Sequence, residues 1–232
     1  MRRLLLVAAL ALAAPGAAAA APSGSGLYAD NCLSCHGPGG SGTPRGPRLR
    51  GVGAIAADFY LRTGYMPLRS PHDQPTRRRA LFTPDQIDAL VGYVASLGKG
   101  DPVPKPHPER GSIPVGLRLF TEHCAGCHQV VGEGGYVTGA RVPPLKQATA
   151  TQIAEAVRVG PYLMPRFQKA QISDRQLDSL IAYVEWAKHP DDRGGWAIGH
   201  IGPVPEGLVT WFLAGAALVL LCVAIGKRYR SA

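Results

Sequence analysis

The chain has 232 residues, enough for one or two domains. Its formal charge of +9 is uneven: Arg2 and Arg3 lie in the first 21 residues, and Lys227, Arg228 and Arg230 lie in the last 25. Residues 22–207 keep 20 basic and 16 acidic residues, a balance of +4 that gives nucleic-acid binding no footing. With 29 Gly and 21 Pro the chain is loop-rich, while 46% apolar content excludes disorder. Five cysteines are too few for a disulfide scaffold of this length.

Residues 1–21 read as a secretory signal peptide. Two arginines precede the apolar run Leu4 to Ala14, Pro15-Gly16 breaks it, and small alanines place cleavage near Ala20 or Ala21. A retained N-terminal anchor is the alternative.

Residues 22–98 form a first unit. Gly24, Leu27 and Tyr28 stand eight, five and four residues before Cys32-Leu33-Ser34-Cys35-His36. Pro47-Arg48-Leu49, a short helix-like stretch ending at Gly64, and Met66-Pro67 follow. Thr83-Pro84-Asp85-Gln86 is a capping box with Pro at the first helical position. Phe82 can staple onto Ile87, and Ile87, Leu90, Val91 and Val94 form an apolar stripe. Arg45, Arg48 and Arg50 can serve haem propionates or a docking surface, or be solvated loop charges; Arg77-Arg78-Arg79 reads as solvated.

Residues 99–111, with four prolines and alternating charges, read as an extended, stiff linker. Residues 112–189 then repeat the first unit: Gly116, Leu119 and Phe120, Cys124-Ala125-Gly126-Cys127-His128, Pro143-Pro144-Leu145, a stretch ending at Gly160, and Met164-Pro165. Ser173-Asp174-Arg175-Gln176 repeats the capping box, Ile172 and Leu177 the staple, and Leu177, Leu180, Ile181 and Val184 the stripe, with Tyr183 matching Tyr93.

Residues 190–207 read as a second linker. Residues 208–226 carry no charge over 19 positions, about 28 Å of helix against a hydrocarbon core of about 30 Å. Trp211 and Tyr229 sit near its two ends, and Lys227, Arg228 and Arg230 in the tail 227–232 place the C-terminus in the cytoplasm. Residues 22–207 are thus expected outside the cytoplasmic membrane on a single-pass tether. Cys222 lies within the span and reads as a small apolar residue.

Two CxxCH motifs 92 residues apart carry the chemistry. Two thiols one helical turn apart meet the vinyl groups of a haem and form thioethers, and the adjacent imidazole becomes the proximal iron ligand. That makes Cys32, Cys35, Cys124 and Cys127 the attachment points of two haem c groups, with His36 and His128 as axial ligands. A thioredoxin-like dithiol needs a βαβ context that is missing, and a zinc ribbon needs its second pair about 15–20 residues on. A disulfide within each motif is the remaining alternative. Apart from the initiator, Met66 and Met164 are the chain's methionines, 30 and 36 residues after the motif histidines. As sixth ligands their thioethers favour ferrous iron and raise its potential. His72, His107, His123, His189 and His200 read as surface or linker residues. No position is left open for oxygen.

Each unit resembles a class I cytochrome c domain, on the helix running into CxxCH, the Pro-x-Leu, the Met-Pro and the closing helix with its aromatic. The resemblance implies a mainly α fold, two such domains in tandem followed by one C-terminal transmembrane helix. It also implies that the carbonyls of Pro47 and Pro143 accept hydrogen bonds from the proximal histidines. The histidine-to-methionine spacings are short for the family, so its loops are trimmed. The whole chain is similar to the dihaem cytochrome c subunit of the actinobacterial-type cytochrome bcc complex. The residues that carry this are Thr63 to Pro67, Asp85 to Leu90, Gly160 to Pro165 and Ile201-Gly202-Pro203-Val204-Pro205-Glu206-Gly207 at the membrane entry. That family implies a menaquinol–cytochrome c reductase, a dimeric complex with cytochrome b and a Rieske iron–sulfur subunit. Its dihaem subunit relays electrons to the CuA subunit of an aa3-type oxidase, and the isolated chain catalyses nothing itself.

Three other readings compete. A dihaem peroxidase needs a haem that can lose its distal ligand, and the membrane helix and both Met-Pro loops oppose it. In a cbb3-type oxidase subunit the anchor precedes the haem domains. A tethered dihaem shuttle outside any complex leaves the membrane-entry sequence unexplained.

Overall fold

A computed structural model describes residues 23–189 and 203–230. The expected signal peptide and most of the second linker lie outside the described residues. The chain divides after Val103, within the proline-rich segment, into two units that are described separately.

In the first unit, α1 (Gly24–Asn31) runs into the single turn α2 (Leu33–His36), followed by α3 (Gly53–Arg62) and α4 (Pro84–Ser96). Ser23 caps α1, and Thr83 and Gln86 form both halves of the capping box at α4. Ile87, Leu90 and Val94 are buried, and Phe82 and Val91 pack against the same cluster. Helices α1 and α4 meet at Gly24, where a Cβ would overlap the carbonyl oxygen of Ala89. That close approach seats Tyr28 against Tyr93, with ring centroids 5.0 Å apart.

The second unit repeats the plan: α5 (Ile113–His123), the single turn α6 (Ala125–His128), α7 (Ala150–Val159) and α8 (Asp174–Ala187). Gly116 meets the carbonyl of Ser179 as Gly24 meets that of Ala89. Phe120 and Tyr183 lie 5.3 Å apart, and Leu177, Leu180, Ile181 and Val184 are all buried. One element has no forerunner in the sequence reading. Between α6 and α7, β1 (Gly135–Val137) and β2 (Ala140–Val142) form an antiparallel hairpin, with Tyr136 opposite Arg141. Its turn contains Gly139 at φ 86°, a conformation glycine takes without strain. The matching place in the first unit is one bridge between Thr43 and Gly46, which accounts for four of the six extra residues between histidine and methionine in the second unit; the other two lie between Gly160 and Met164.

The first linker, extended and stiff by composition, is tied at each end to its own unit. On one side the N–H of Ile55 bonds the carbonyl of Asp101 at 3.2 Å, and a Cβ on Gly53 or Gly100 would strike the opposing backbone. On the other, Pro108–Arg110 forms a 3-10 turn, and the N–H of His107 bonds Oδ1 of Asp178 at 2.7 Å. Proline limits the segment's entropy, so these few hydrogen bonds hold each end against its own unit at little ordering cost.

The last element, α9 (Pro203–Arg230), extends beyond the uncharged 208–226 at both ends. Its stretch Gly207–Arg230 is long and apolar enough to cross a membrane, with mean hydropathy 2.6 over its most apolar 18 residues and exposed side chains.

Candidate haem sites

Each CxxCH is shaped by a break between two helices. Cys32 leaves the helical region (φ −122°, ψ −27°), closing α1 and opening α2. The N–H groups of Cys35 and His36 then both bond its carbonyl, at 3.1 and 2.9 Å. Cys124 repeats the break (φ −122°, ψ −35°), with Cys127 and His128 bonded to its carbonyl at 3.1 and 2.9 Å. One turn therefore carries both thiols and the imidazole of each motif. All four thiols are free.

The loops beyond the motifs fold back in parallel ways. Gly42 bonds the carbonyl of His36 (2.7 Å) and Leu49 that of Gly40 (2.9 Å); Gly134 bonds that of His128 (3.0 Å) and Leu145 that of Gly132 (2.8 Å). These bonds carry the Pro-x-Leu segments over the histidine rings. Nδ1 of His36 lies 2.7 Å from the carbonyl oxygen of Pro47, and Nδ1 of His128 lies 3.2 Å from that of Pro143. With Nδ1–H donating in each case, the lone pair of Nε2 is left for a metal. Burial pushes the His128 imidazole below its usual range, against the opposing effect of the Pro143 bond, which favours the neutral ligating form. Burial, with the neighbouring thiol second, pushes Cys32 and Cys124 up to about 11.

The methionines reach the same clusters. Met66 packs on the first core with Cys32 and Leu49, and Met164 on the second with Leu145, next to the buried Cys124. Each unit thus places one motif thiol and the methionine thioether on one apolar cluster, with the second thiol and the imidazole on the adjoining turn. That donor set fits haem c: thioether attachment, nitrogen and sulfur axial ligands and an apolar surround. Among the described residues no three His, Cys, Asp or Glu side chains gather to hold a bare metal ion.

Tyrosine hydroxyls brace both motifs from the helix crossing, a use that sequence reasoning took only as core. Tyr28 Oη donates to the carbonyl of Gly37 and Tyr183 Oη to that of Val130, each at 2.7 Å. Arg50 Nε donates to the carbonyl of Gly39 at 2.8 Å, while Arg45 and Arg48 are exposed. Sequence reasoning also passed over Arg62 and Arg158, two residues before Gly64 and Gly160; that shared offset was the available signal. His107 pairs with Glu109, and His123 stacks on Phe167 at 5.7 Å. His200 lies outside the described residues.

Comparison with known proteins agrees with this duplication. Residues 21–98 match the family model for cytochrome c, and residues 111–184 that for cytochrome c oxidase, cbb3-type, subunit III. The cytochrome bc1 complex cytochrome c subunit of Mycobacterium tuberculosis is 35% identical, over 94% of this chain and 82% of that protein. The chain belongs to this family of cytochrome bc1 complex cytochrome c subunits. The corresponding subunit of Corynebacterium diphtheriae is 32% identical over 88% of this chain and 80% of that protein. A cbb3-type cytochrome c oxidase subunit from Azospirillum is 31% identical over a smaller 69% of this chain and 60% of that protein. The mainly helical fold, the two cytochrome c domains and the C-terminal apolar helix are those of a tethered electron-transfer cytochrome.

Proposed function

We propose that this chain is the dihaem electron-transfer subunit of a respiratory menaquinol–cytochrome c reductase. Its cytochrome c domains (22–98 and 112–189) stand outside the cytoplasmic membrane on the span 208–226. The observation that carries the reading is the duplicated site: one turn bearing Cys-x-x-Cys-His, a histidine Nδ1 bonded to a proline carbonyl, and a methionine on the same cluster. When bound, haem c supplies a one-electron ferric–ferrous couple.

The chain's residues then have separate tasks. Cys32 and Cys35, and Cys124 and Cys127, would hold the two haems by thioethers. His36 and His128, oriented by Pro47 and Pro143, would offer Nε2 to the iron. Met66 and Met164 would offer their thioethers, a soft donor that favours the reduced state. The apolar clusters exclude water, so little solvent reorganises when the charge changes. Lys227, Arg228 and Arg230 keep the C-terminus cytoplasmic.

Within the complex, the chain accepts electrons from the Rieske centre beside cytochrome b and passes them to the CuA subunit of an aa3-type oxidase, in a dimeric assembly. The cbb3-type match of the second unit supports a rival reading as an oxidase subunit. Against it stand the broader match to the bc1-type subunits and an anchor that follows the haem domains.

The test is to purify the tagged chain from its own membranes in mild detergent. The reduced-minus-oxidised spectrum and the mass of the chain are then measured. The expected result is a c-band with b-bands, menaquinol-dependent reduction of the c-haems and a mass increased by two haem groups. A c-band alone, whatever the detergent, leaves a tethered shuttle; no c-band overturns the haem assignment.

A further inference from the structure

The two units hold their methionine loops differently. In the second, Arg158 lies in the last turn of α7 with its side chain only 9% exposed. Its Nη1 donates to the carbonyls of Phe167 (3.1 Å) and Ile172 (2.8 Å), and its Nη2 to Oδ1 of Asp174 (2.9 Å). Phe167 in turn bonds the carbonyl of Val157 at 2.9 Å through its N–H. Met164 lies on the loop between these ties, its own N–H bonded to Pro161 at 3.0 Å. One guanidinium therefore joins the end of α7, the return of the methionine loop and the start of α8.

In the first unit the matching Arg62 faces carboxylates instead. Its Nε donates to Asp58 on its own helix at 2.8 Å, and its Nη2 to Asp88 on α4. Backbone bonds join its loop to the end of the preceding helix, Met66 N–H to the carbonyl of Tyr60 at 3.0 Å and Arg78 N–H to that of Thr63 at 3.1 Å. The same residue type at the same offset thus ties helix to helix in one unit and helix to loop in the other. Charge-assisted bonds to loop carbonyls are among the stronger side-chain ties a fold contains.

We propose that Arg158 is a positioning residue for Met164, and that Arg62, held by Asp58 and Asp88, does not make this clamp in the first unit, so the two methionines leave iron with different ease. This rests on the reading of Met66 and Met164 as sixth ligands. An exogenous ligand reaches ferric iron only when the methionine has left. Its apparent affinity therefore reports the population of the opened loop.

The experiment uses the full-length holoprotein in detergent and titrates imidazole against the ferric form. It follows the far-red charge-transfer absorbance of the sulfur–iron bond. Met66→His and Met164→His should each remove one haem's share of that absorbance; if neither does, the ligand reading fails whatever Arg158 does. In the Met66→His background, Arg158→Gln should tighten imidazole binding by at least about tenfold, equivalent to about 1.4 kcal/mol, with Arg158→Lys in between. The reduction potential of that haem should fall in step. In the Met164→His background, Arg62→Gln should change binding less than about threefold. The proposal is overturned if Arg158→Gln stays within about twofold of its parent while helical signal and covalent haem are retained. It is equally overturned if Arg62→Gln shifts the first haem as far. Should Arg158→Gln fail to accumulate, Arg158→Lys decides, and a shift below about twofold overturns the proposal.

Discussion

Replacing Gly116 by alanine places one methyl group at the tightest point of the second unit. The new Cβ would overlap the backbone carbonyl of Ser179 and lie 2.7 Å from Cβ of Tyr183, where ordinary carbon contacts are about 3.5–4.0 Å. Neither obstacle is the free end of a side chain, so α5 and α8 must separate. Separation loosens Leu119, Phe120, Leu180 and Tyr183, all buried at this crossing. Overpacking commonly costs about 1–3 kcal/mol, and a backbone obstacle belongs at the upper end, about 3 kcal/mol. For a unit of this size that lowers Tm by on the order of 10–20 °C. The assay is thermal melting of the full-length holoprotein, followed by Soret and far-ultraviolet circular dichroism. Gly92→Ala in α4 is the control, since nothing lies within 4 Å of its new Cβ and helix propensity favours alanine by about 1 kcal/mol. A Gly116→Ala protein that melts within about 3 °C of the parent would refute the reasoning, because about 1 kcal/mol already moves such a unit 4–8 °C.

Further outcomes are open to direct measurement. Tyr28→Phe leaves the carbonyl of Gly37 without its 2.7 Å donor and should cost about 1–2 kcal/mol in denaturant unfolding of the first unit. Lys169, and after it Arg158, hold the Asp174 carboxyl below the usual carboxylate range. Its contribution to stability is therefore complete above about pH 4 and is lost as pH falls through its lowered folded value. Asp174→Asn should accordingly be less stable at neutral pH, with the difference closing in acid; a constant difference would contradict this. Cys127→Ala should leave the second haem on one thioether, seen as a pyridine-haemochrome band moved towards that of a singly attached haem. Ending the chain after His189 should release both haem domains from the membrane fraction, while Lys227→Glu with Arg228→Glu should keep them there.

Much of this was legible because it is local. The capping boxes at Thr83 and Ser173, the stripes of α4 and α8, and the CxxCH turns are each written within a few residues, and the duplication let each copy check the other. The box of Thr149 and Gln152 at α7 is equally local, but it has no counterpart in the first unit to draw attention to it. The hairpin Gly135–Val142 has strands of three residues, too short for alternation to register. The ties of Arg158 end on two carbonyls besides Asp174, and carbonyls have no sequence signature. The first docked end of the proline-rich linker is hidden for the same reason, since Ile55 and Asp101 meet through backbone atoms, and the second by distance, since His107 meets Asp178, 71 residues on.

The two tyrosine braces are alike in geometry and opposite in sequence distance. Tyr28 reaches a carbonyl nine residues away, and Tyr183 reaches one 53 residues away. Loop closure for the first costs little, so the first motif can be braced as soon as α1 and its following turn have formed. The second brace must wait for the closing helix α8. As the chain emerges from its N-terminus, the first hydroxyl meets its carbonyl locally, before α4 arrives to seat Tyr28 against Tyr93, while the second brace exists only once α8 is out. The order in which the two braces form is thus set by which helix of an aromatic pair carries the reaching hydroxyl.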